Sequence, residues 1–248
     1  MGVNPSKFQG FLIDRNNGFA PTMFNLTDVD IPISDTVKIL GVHIDSNLTF
    51  DTHITTICKK AARHLKAIRR VSKYLDEPCR KSLYHAFILS HFNYCCIVWH
   101  HCDSASAIKV EKIQKRALRV IMNDYESSYQ DLLIKSGQPL MFVSRLRSIA
   151  CEVYKSIHKL NPSFLHDLFT YKHTGYESRR KIKLHQRLVK TQTYGIRSVR
   201  YEGAQLWNKL PPEIIKAESF QTFKSLIKKW EGPQCQCGFC SMCRLKLV

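Results

Sequence analysis

Acidic residues are scarce in this chain of 248 residues: 20 Asp and Glu stand against 38 Lys and Arg, a formal net charge of +18 at pH 7. Such an excess of positive charge favours a polyanionic partner, with nucleic acid ahead of an acidic membrane surface. The plain alternative is a soluble protein that is merely basic, because net charge alone identifies no binding site.

Long hydrophobic runs are also lacking. The most apolar stretch, residues 83–99, contains His85, His91 and Asn93, and it is too short and too polar to span a bilayer. The N-terminus does not show the order of a signal peptide, in which basic residues precede an apolar segment. We therefore expect no membrane span and no membrane partner.

The ten cysteines do not indicate a secreted disulfide scaffold, because the chain is large and rich in apolar residues. A reduced, buried thiol is expected for five of them, which stand in apolar helical contexts: Cys58, Cys79, Cys95, Cys96 and Cys151. This predicts a reducing intracellular compartment, with nucleus and cytoplasm both open.

The last four cysteines form a separate cluster, in which four thiolates are enough for one tetrahedral zinc ion. They are Cys235, Cys237, Cys240 and Cys243. Their spacing is tighter than in zinc ribbons and knuckles, whose ligand pairs are separated by a longer loop. A zinc site, a reduced and frayed terminus, and a bridge to a partner chain all stay open.

The periodicity of apolar residues changes near residue 50. Before it, FQGFLI (residues 8–13) and VKILGVHID (residues 37–45) are rich in strand-forming residues, and the segment between them is rich in turn residues. After it the period is helical. The sequence predicts a mainly α fold, with a small β-hairpin region followed by a helical bundle and a second helical region.

The first predicted helix separates apolar from basic residues. Ile54, Ile57, Ala61, Leu65 and Ile68 fall on one stripe at 100° per residue, and Asp51 or Thr52 is expected to cap the N-terminus. Residues 54–74 contain no acid, although a solvated face normally mixes both signs. We therefore predict contact with an anionic ligand through seven basic residues on the other side: Lys59, Lys60, Arg63, Lys66, Arg69, Arg70 and Lys73.

Further helices are predicted at residues 77–94, 105–123, 127–137, 141–160, 202–210 and 219–230. The helix at 77–94 is apolar nearly all round, which places it at the centre of the bundle. The next exposes Lys112 and Arg116. Residues 171–200 are expected to form an extended loop or irregular hairpin. Trp207 and Trp230 are predicted core residues, and histidines 85, 91, 100 and 101 are ordinary core and surface residues.

Seven blocks, in order, resemble the end of the reverse transcriptases of LINE-type, jockey-like non-LTR retrotransposons. They are NPSK (residues 4–7), VKILGVHIDSNLTF, SHFNYCCIVWH, KVEKIQKRALRVIMNDYESSYQDLL, RLRSIACEVYKSIHKLNPSFLHDLF, TYGIRSVRYEGAQLWNKLPPEI and WEGPQCQCGFC. Each block is weakly specific, but their order is hard to obtain by chance. The resemblance covers nearly the whole chain.

The resemblance implies four regions. Residues 1–50 correspond to a palm remnant with a primer-grip hairpin, residues 51–125 to a helical thumb, residues 126–230 to a helical C-terminal region and residues 231–248 to a Cys-rich tail. Leu40, Gly41 and Val42 match the family's primer grip, and Leu40 and Val42 are expected to anchor the hairpin in the core. Lys7 matches a lysine implicated in protonating the leaving group, which makes it a candidate accessory general acid. An ordinary surface lysine is the alternative.

The residues that polymerases of this kind use to hold two divalent metal ions have no match. No Asp-Asp pair occurs in the chain, and Asp28 and Asp30 follow the NPSK segment, where a hairpin turn is the better interpretation. The resemblance thus predicts a fragment without the Mg²⁺-binding aspartates, with no polymerase activity by itself. Its remaining role would be binding RNA, DNA or RNA–DNA hybrid, with Lys112 and Arg116 joining the basic helix.

Two other functions stay open on the sequence alone. One is a self-standing helical nucleic-acid-binding module, and the other is a translated relic without a selected role. The β-rich start favours the polymerase fragment, because an independent helical module has little use for half a palm and a grip hairpin. The family's related C-x-C-x2-C ending favours zinc at the tail.

Overall fold

A computed structural model describes residues 8–13, 22–26, 29–172, 183–191 and 195–233. The chain is 58% helical, with two small antiparallel hairpins followed by helices, so the predicted mainly α fold is confirmed. The strands are β1 (Met23–Leu26), β2 (Val29–Pro32), β3 (Thr36–Ile39) and β4 (Val42–Asp45). The helices are α1 (Asp51–Val71), α2 (Glu77–Tyr84), α3 (Ser90–Asn93), α4 (Ser104–Met122), α5 (Tyr129–Ser136), α6 (Met141–Ile157), α7 (Val199–Lys209), α8 (Pro212–Ile215) and α9 (Phe220–Lys229).

The two hairpins differ in how well the sequence predicted them. β3 and β4 pair antiparallel with Thr36 opposite Asp45, inside the segment predicted as strand. β1 and β2 also pair, although this segment was predicted as turns and spacers. Of the described residues in these two strands, only Ile31 is buried, so no alternation of buried and exposed residues marks the strands. Residues 8–13, predicted as a strand, form a single bridge from Gly10 to Ile33.

The first hydrophobic cluster lies between α1 and α4 and is closed by the segment from α2 to α3. That segment was predicted at the centre of the bundle, and this is wrong. Its buried side chains, Tyr84, Ile88 and Phe92, recur every four residues on one face, whereas Phe87 is 46% exposed. A π-helical turn at His85–Leu89 joins α2 and α3 and keeps the three on one face.

Short polar side chains begin several of these helices. Asp76 and Asp103 cap α2 and α4, each accepting a hydrogen bond from the backbone N–H three residues ahead. The predicted cap of α1 by Asp51 or Thr52 is wrong, because Phe50 takes that position in a left-handed conformation. α5 is capped by Ser128 and not by Ser127.

Glu111 shows why one acid stands in the otherwise basic α4. It is buried, and its carboxylate accepts hydrogen bonds from the backbone N–H groups of Met141 and Phe142 at the start of α6, at 3.3 and 2.9 Å. A carboxylate at a helix N-terminus satisfies unpaired donors and the helix dipole. Glu111 therefore faces inward and leaves the outer face of α4 without negative charge.

A second hydrophobic cluster is built by α6, α7 and α9 around Trp207, Phe223 and Tyr154. The prediction that Trp207 is a core residue is confirmed, since it is 1% exposed. The short α8 was not predicted, and α6 ends at Ile157. Cys79 is exposed and not buried as expected, because it lies in the first turn of α2, on the outer side.

Candidate nucleic-acid interface

The basic residues of α1 all point away from the hydrophobic core. Its apolar stripe is buried as predicted, with Ile54, Ile57, Ala61, Leu65 and Ile68 each at most 8% exposed. All seven predicted cations are exposed, from Lys59 to Lys73. Within the described residues none of them forms an ion pair with an acid. The face is therefore an uncompensated band of positive charge.

Helix α4 lies alongside α1 and runs in the same direction. At their N-terminal ends, the Asp51 carboxylate accepts hydrogen bonds from Ser106 Oγ at 2.8 Å and from Lys109 Nζ at 2.7 Å. Lys112 and Arg116, one turn apart on α4, are exposed and likewise have no acidic partner among the described residues. Eight of the nine predicted nucleic-acid-binding residues thus lie on two adjacent helices, and the ninth, Lys73, lies in the 3₁₀ turn that follows α1.

A surface groove runs between the two packed helices near their C-terminal ends. It encloses about 430 Å³, and its rim carries Lys66 and Arg69 from α1 and Arg116 and Arg119 from α4. The remaining lining residues are apolar or aromatic: Ala62, Leu65, Ile113, Val120 and Tyr125. Among the described residues no acid lines it. Positive charge around an apolar floor suits an anion that also carries a flat apolar group.

Part of this positive charge has a structural explanation. Arg69 and Arg70 lie in the last turn of α1, and Arg119 lies in the last turn of α4. Cations in these positions counter the partial negative charge of a helix C-terminus. Lys66 and Arg116 lie outside the last turns. The helix dipole therefore explains two of the four cations at the groove, Arg69 and Arg119, and leaves the other two without this explanation.

Arg80 satisfies part of the backbone at the same end. Its Nε donates to the carbonyl of Ile121 at 2.7 Å, and its Nη1 donates to the carbonyl of Leu75 at 2.7 Å. One arginine thereby ties the end of α4 to the turn that follows α1.

The predicted grip residues form the two-residue turn between β3 and β4. Leu40 and Gly41 both have positive φ, 46° and 86°, as a type I′ turn requires. Val42 is buried as predicted. The expectation that Leu40 anchors the turn is wrong: it is 84% exposed, because the turn geometry points it to solvent.

Several predicted site residues lie outside the described part of the chain. These are Lys7 and the four cysteines Cys235, Cys237, Cys240 and Cys243. Within the described residues no group of three or more His, Cys, Asp or Glu could hold a metal ion. None of the helices described there is long and apolar enough to cross a membrane.

A buried charge cluster was missed by the sequence analysis. Glu202 of α7 lies between two histidines of the loop after α3, with Oε1 3.2 Å from His100 Nε2 and Oε2 3.0 Å from His101 Nδ1. Burial by itself would raise the pKa of Glu202, but the hydrogen bonds and charges of the two histidines hold it well below its usual range. Burial lowers the pKa of His100, against the pull of Glu202. The sequence gives no local signal for this contact, since the partners are 102 residues apart.

Comparison with known proteins gives one match. Over 125 residues the chain is 26% identical to a probable RNA-directed DNA polymerase from transposon X-element of Drosophila melanogaster. The match covers 49% of this chain and 14% of that protein, so the chain spans a small part of its relative's length. No family model and no solved structure matches. The similarity supports a relationship to LINE-type reverse transcriptases.

Proposed function

We propose that this chain is a nucleic-acid-binding part of a mobile-element reverse transcriptase. In this proposal α1 and α4 hold RNA, DNA or RNA–DNA hybrid through contacts to phosphate, which are insensitive to sequence. The observation that carries it is the band of exposed cations on two adjacent helices, without acidic partners in the described part of the chain. The similarity to a polymerase from transposon X-element supports the same partner class.

Binding through phosphate has a measurable signature. Each phosphate that a cation neutralises releases counterions, so affinity falls linearly with salt on a log–log scale, with a slope of about 0.9 per contact on duplex DNA. Fluorescence anisotropy with a labelled RNA–DNA hybrid at several salt concentrations measures this slope. Salt-independent binding, or none, would contradict the proposal.

The helix α1 is tested with Lys60→Ala, Arg63→Ala and Arg70→Ala combined, three cations outside the groove. We expect the salt slope to fall by about 2–3, since each lost phosphate contact removes roughly one. The matched control removes the same number of exposed cations from the region of the second hydrophobic cluster: Lys209→Ala, Lys216→Ala and Lys229→Ala. Equal losses in both variants would show that only net charge matters.

We further propose that the chain is the downstream fragment of such a polymerase and extends no primer by itself. The lack of an Asp-Asp pair supports this, because two-metal polymerases need carboxylates at the primer end. Primer extension with Mg²⁺ by the purified chain would overturn it. The coding DNA just upstream of Met1 gives a second test, since an encoded aromatic-x-Asp-Asp strand would establish the fragment.

Zinc at the tail is a separate proposal, supported by the four clustered thiols alone. Metal analysis of protein purified without chelator is expected to find one zinc ion per chain and to lose it in Cys240→Ser. Equal zinc content in wild type and variant would reject the site.

A further inference from the structure

A loop with several internal hydrogen bonds follows α4, next to the groove between α1 and α4. Asp124 accepts hydrogen bonds from the Ser127 backbone N at 3.0 Å and the Ser127 hydroxyl at 2.6 Å, and it pairs with Lys135 Nζ at 2.6 Å. These contacts hold the pKa of Asp124 well below its usual range, with the Lys135 hydrogen bond the largest cause. The loop carries Tyr125 to the groove, where the residue is 48% exposed.

The groove combines features that match one ligand chemistry. Its floor is formed by the buried side chains of Leu65, Ile113 and Val120, which offer no hydrogen bonds and favour a flat apolar group. Its rim carries four cations and no acid. Arg119 Nε is buried there and has no hydrogen-bond partner among the described residues. A volume of about 430 Å³ lies within the range of small-ligand pockets, roughly 300–1,000 Å³.

We infer that this groove is a subsite for an unpaired nucleotide of single-stranded RNA or DNA. The base stacks against Tyr125 over the apolar floor, and the flanking phosphates lie against Lys66 and Arg116. A base inside a duplex is already stacked on its neighbours, so a hybrid meets only the charged rim. The inference rests on the proposed function and specifies which state of nucleic acid the site selects.

The cations beyond the groove favour nucleic acid over an acidic peptide. A row of cations recurs about once per turn, roughly 5.4 Å along the axis of α1: Lys59, Arg63, Lys66 and Arg70 on the helix, and Lys73 in the 3₁₀ turn that follows it. A ligand with a regularly repeated negative charge satisfies such a row, whereas an acidic peptide offers carboxylates at irregular positions. Stacking of bases on aromatic side chains beside a basic track is how single strands are bound without sequence preference.

Substitutions at Tyr125 distinguish the contribution of base stacking to binding from the contribution of charge. For a labelled single-stranded oligonucleotide, Tyr125→Ala is expected to weaken binding about 10-fold, within the range that base–aromatic stacking contributes, and to leave the salt slope unchanged. Tyr125→Phe keeps the ring and is expected to bind like wild type. Phe164→Ala, which removes an exposed ring from the 3₁₀ segment at Ser163–Leu168, outside the groove, is the control.

The same variants are measured with RNA–DNA hybrid of equal length. We expect Tyr125→Ala to leave hybrid binding unchanged. An equal loss of affinity for both probes, or no loss for the single strand, would overturn the subsite. The proposed function would still stand in either case if wild type binds with the expected salt dependence. Absence of salt-dependent binding in wild type would instead reject the proposed function.

Cross-linking gives a readout that does not depend on affinity. A single strand containing 5-iodouridine, irradiated in complex with the full chain, is expected to attach to the peptide that contains Tyr125, as mapped by mass spectrometry. Attachment confined to other peptides would contradict the subsite. A glutamate-rich amphipathic peptide is the competing ligand. If this peptide displaces the strand, and if it also binds in the absence of the strand in a way that Tyr125→Ala weakens, the groove is a protein-docking site and the inference is overturned.

Discussion

The phenolic oxygen of Tyr94 donates a hydrogen bond to the carbonyl oxygen of Leu40, 2.5 Å away, across 54 positions of sequence. Tyr94 ends α3, where the indole Nε1 of Trp99 donates to its own carbonyl at 3.1 Å. The turn between β3 and β4 is thereby tied to the helical bundle by one side chain. The Leu40 side chain is 84% exposed, so the link from this residue to the bundle runs through its backbone carbonyl.

Tyr94→Phe tests that link. Loss of one partly exposed hydrogen bond is expected to lower the free energy of unfolding by about 0.5–1.5 kcal/mol. Hydrogen exchange is expected to speed up at the amides of Gly41 and Val42 and to stay unchanged in α6. Unchanged exchange in the turn would show that strand pairing alone positions it.

Gly41→Ala tests the turn geometry. A φ of 86° is disfavoured for any residue with a Cβ, at roughly 1–2 kcal/mol, although the nearest atom to an added Cβ, Tyr94 Cε1, is 3.7 Å away. The expected loss in urea unfolding therefore comes from backbone strain and not from a clash. Gly41→Asn is the control, since asparagine tolerates this conformation better. Equal losses in both would instead point to crowding.

Glu202→Gln tests the buried cluster with His100 and His101. Weakening the hydrogen bonds that a buried carboxylate accepts is expected to cost about 1.5–3 kcal/mol at neutral pH, measured by urea unfolding. Glu152→Gln, which breaks a half-exposed pair with Lys155, is expected to cost less than about 1 kcal/mol. A comparable loss of stability in the two variants would contradict the claim that burial makes the contacts of Glu202 contribute more than the pair of Glu152.

The pH dependence of stability follows from the same groups. The pKa of Glu202 is depressed in the folded state, so its contribution is present above its unfolded value of about 4.3 and is lost as pH falls below it. The pKa of His100 is also depressed, so the unfolded state takes up its proton first as pH falls through about 6.5. Both make wild type less stable in acid. Glu202→Gln is expected to flatten the lower part of this profile, and a profile identical to wild type would contradict it.

Thiol reactivity gives an independent check of the packing. Burial raises the pKa of Cys58 and of Cys102 to about 11. At pH 8 each is then about one part in a thousand thiolate, so both should resist alkylation until the protein unfolds. Mass spectrometry after iodoacetamide treatment, with and without urea, measures this. Rapid labelling of Cys58 in the native protein would show that α1 opens readily from the bundle.

Much of the fold was accessible from the sequence. The apolar stripe of α1, the start of α2 at Glu77 and the end of α5 at Gly137 were predicted because they depend on residues a few positions apart. The basic face of α1 was predicted for the same reason. The predicted N-cap residue was wrong by one position where two candidates are adjacent, as with Ser127 and Ser128.

The sequence by itself determined the helical periods, the excess of positive charge and which face of α1 carries it. Only the tertiary structure decided that α1 and α4 run side by side, that Tyr125 reaches the groove between them, and that Glu202 meets His100 and His101. Periodicity and capping act over one or two turns, so neighbouring residues reveal them. Contacts between residues 50 to 100 positions apart depend on how whole elements pack, and no local pattern in the chain records that.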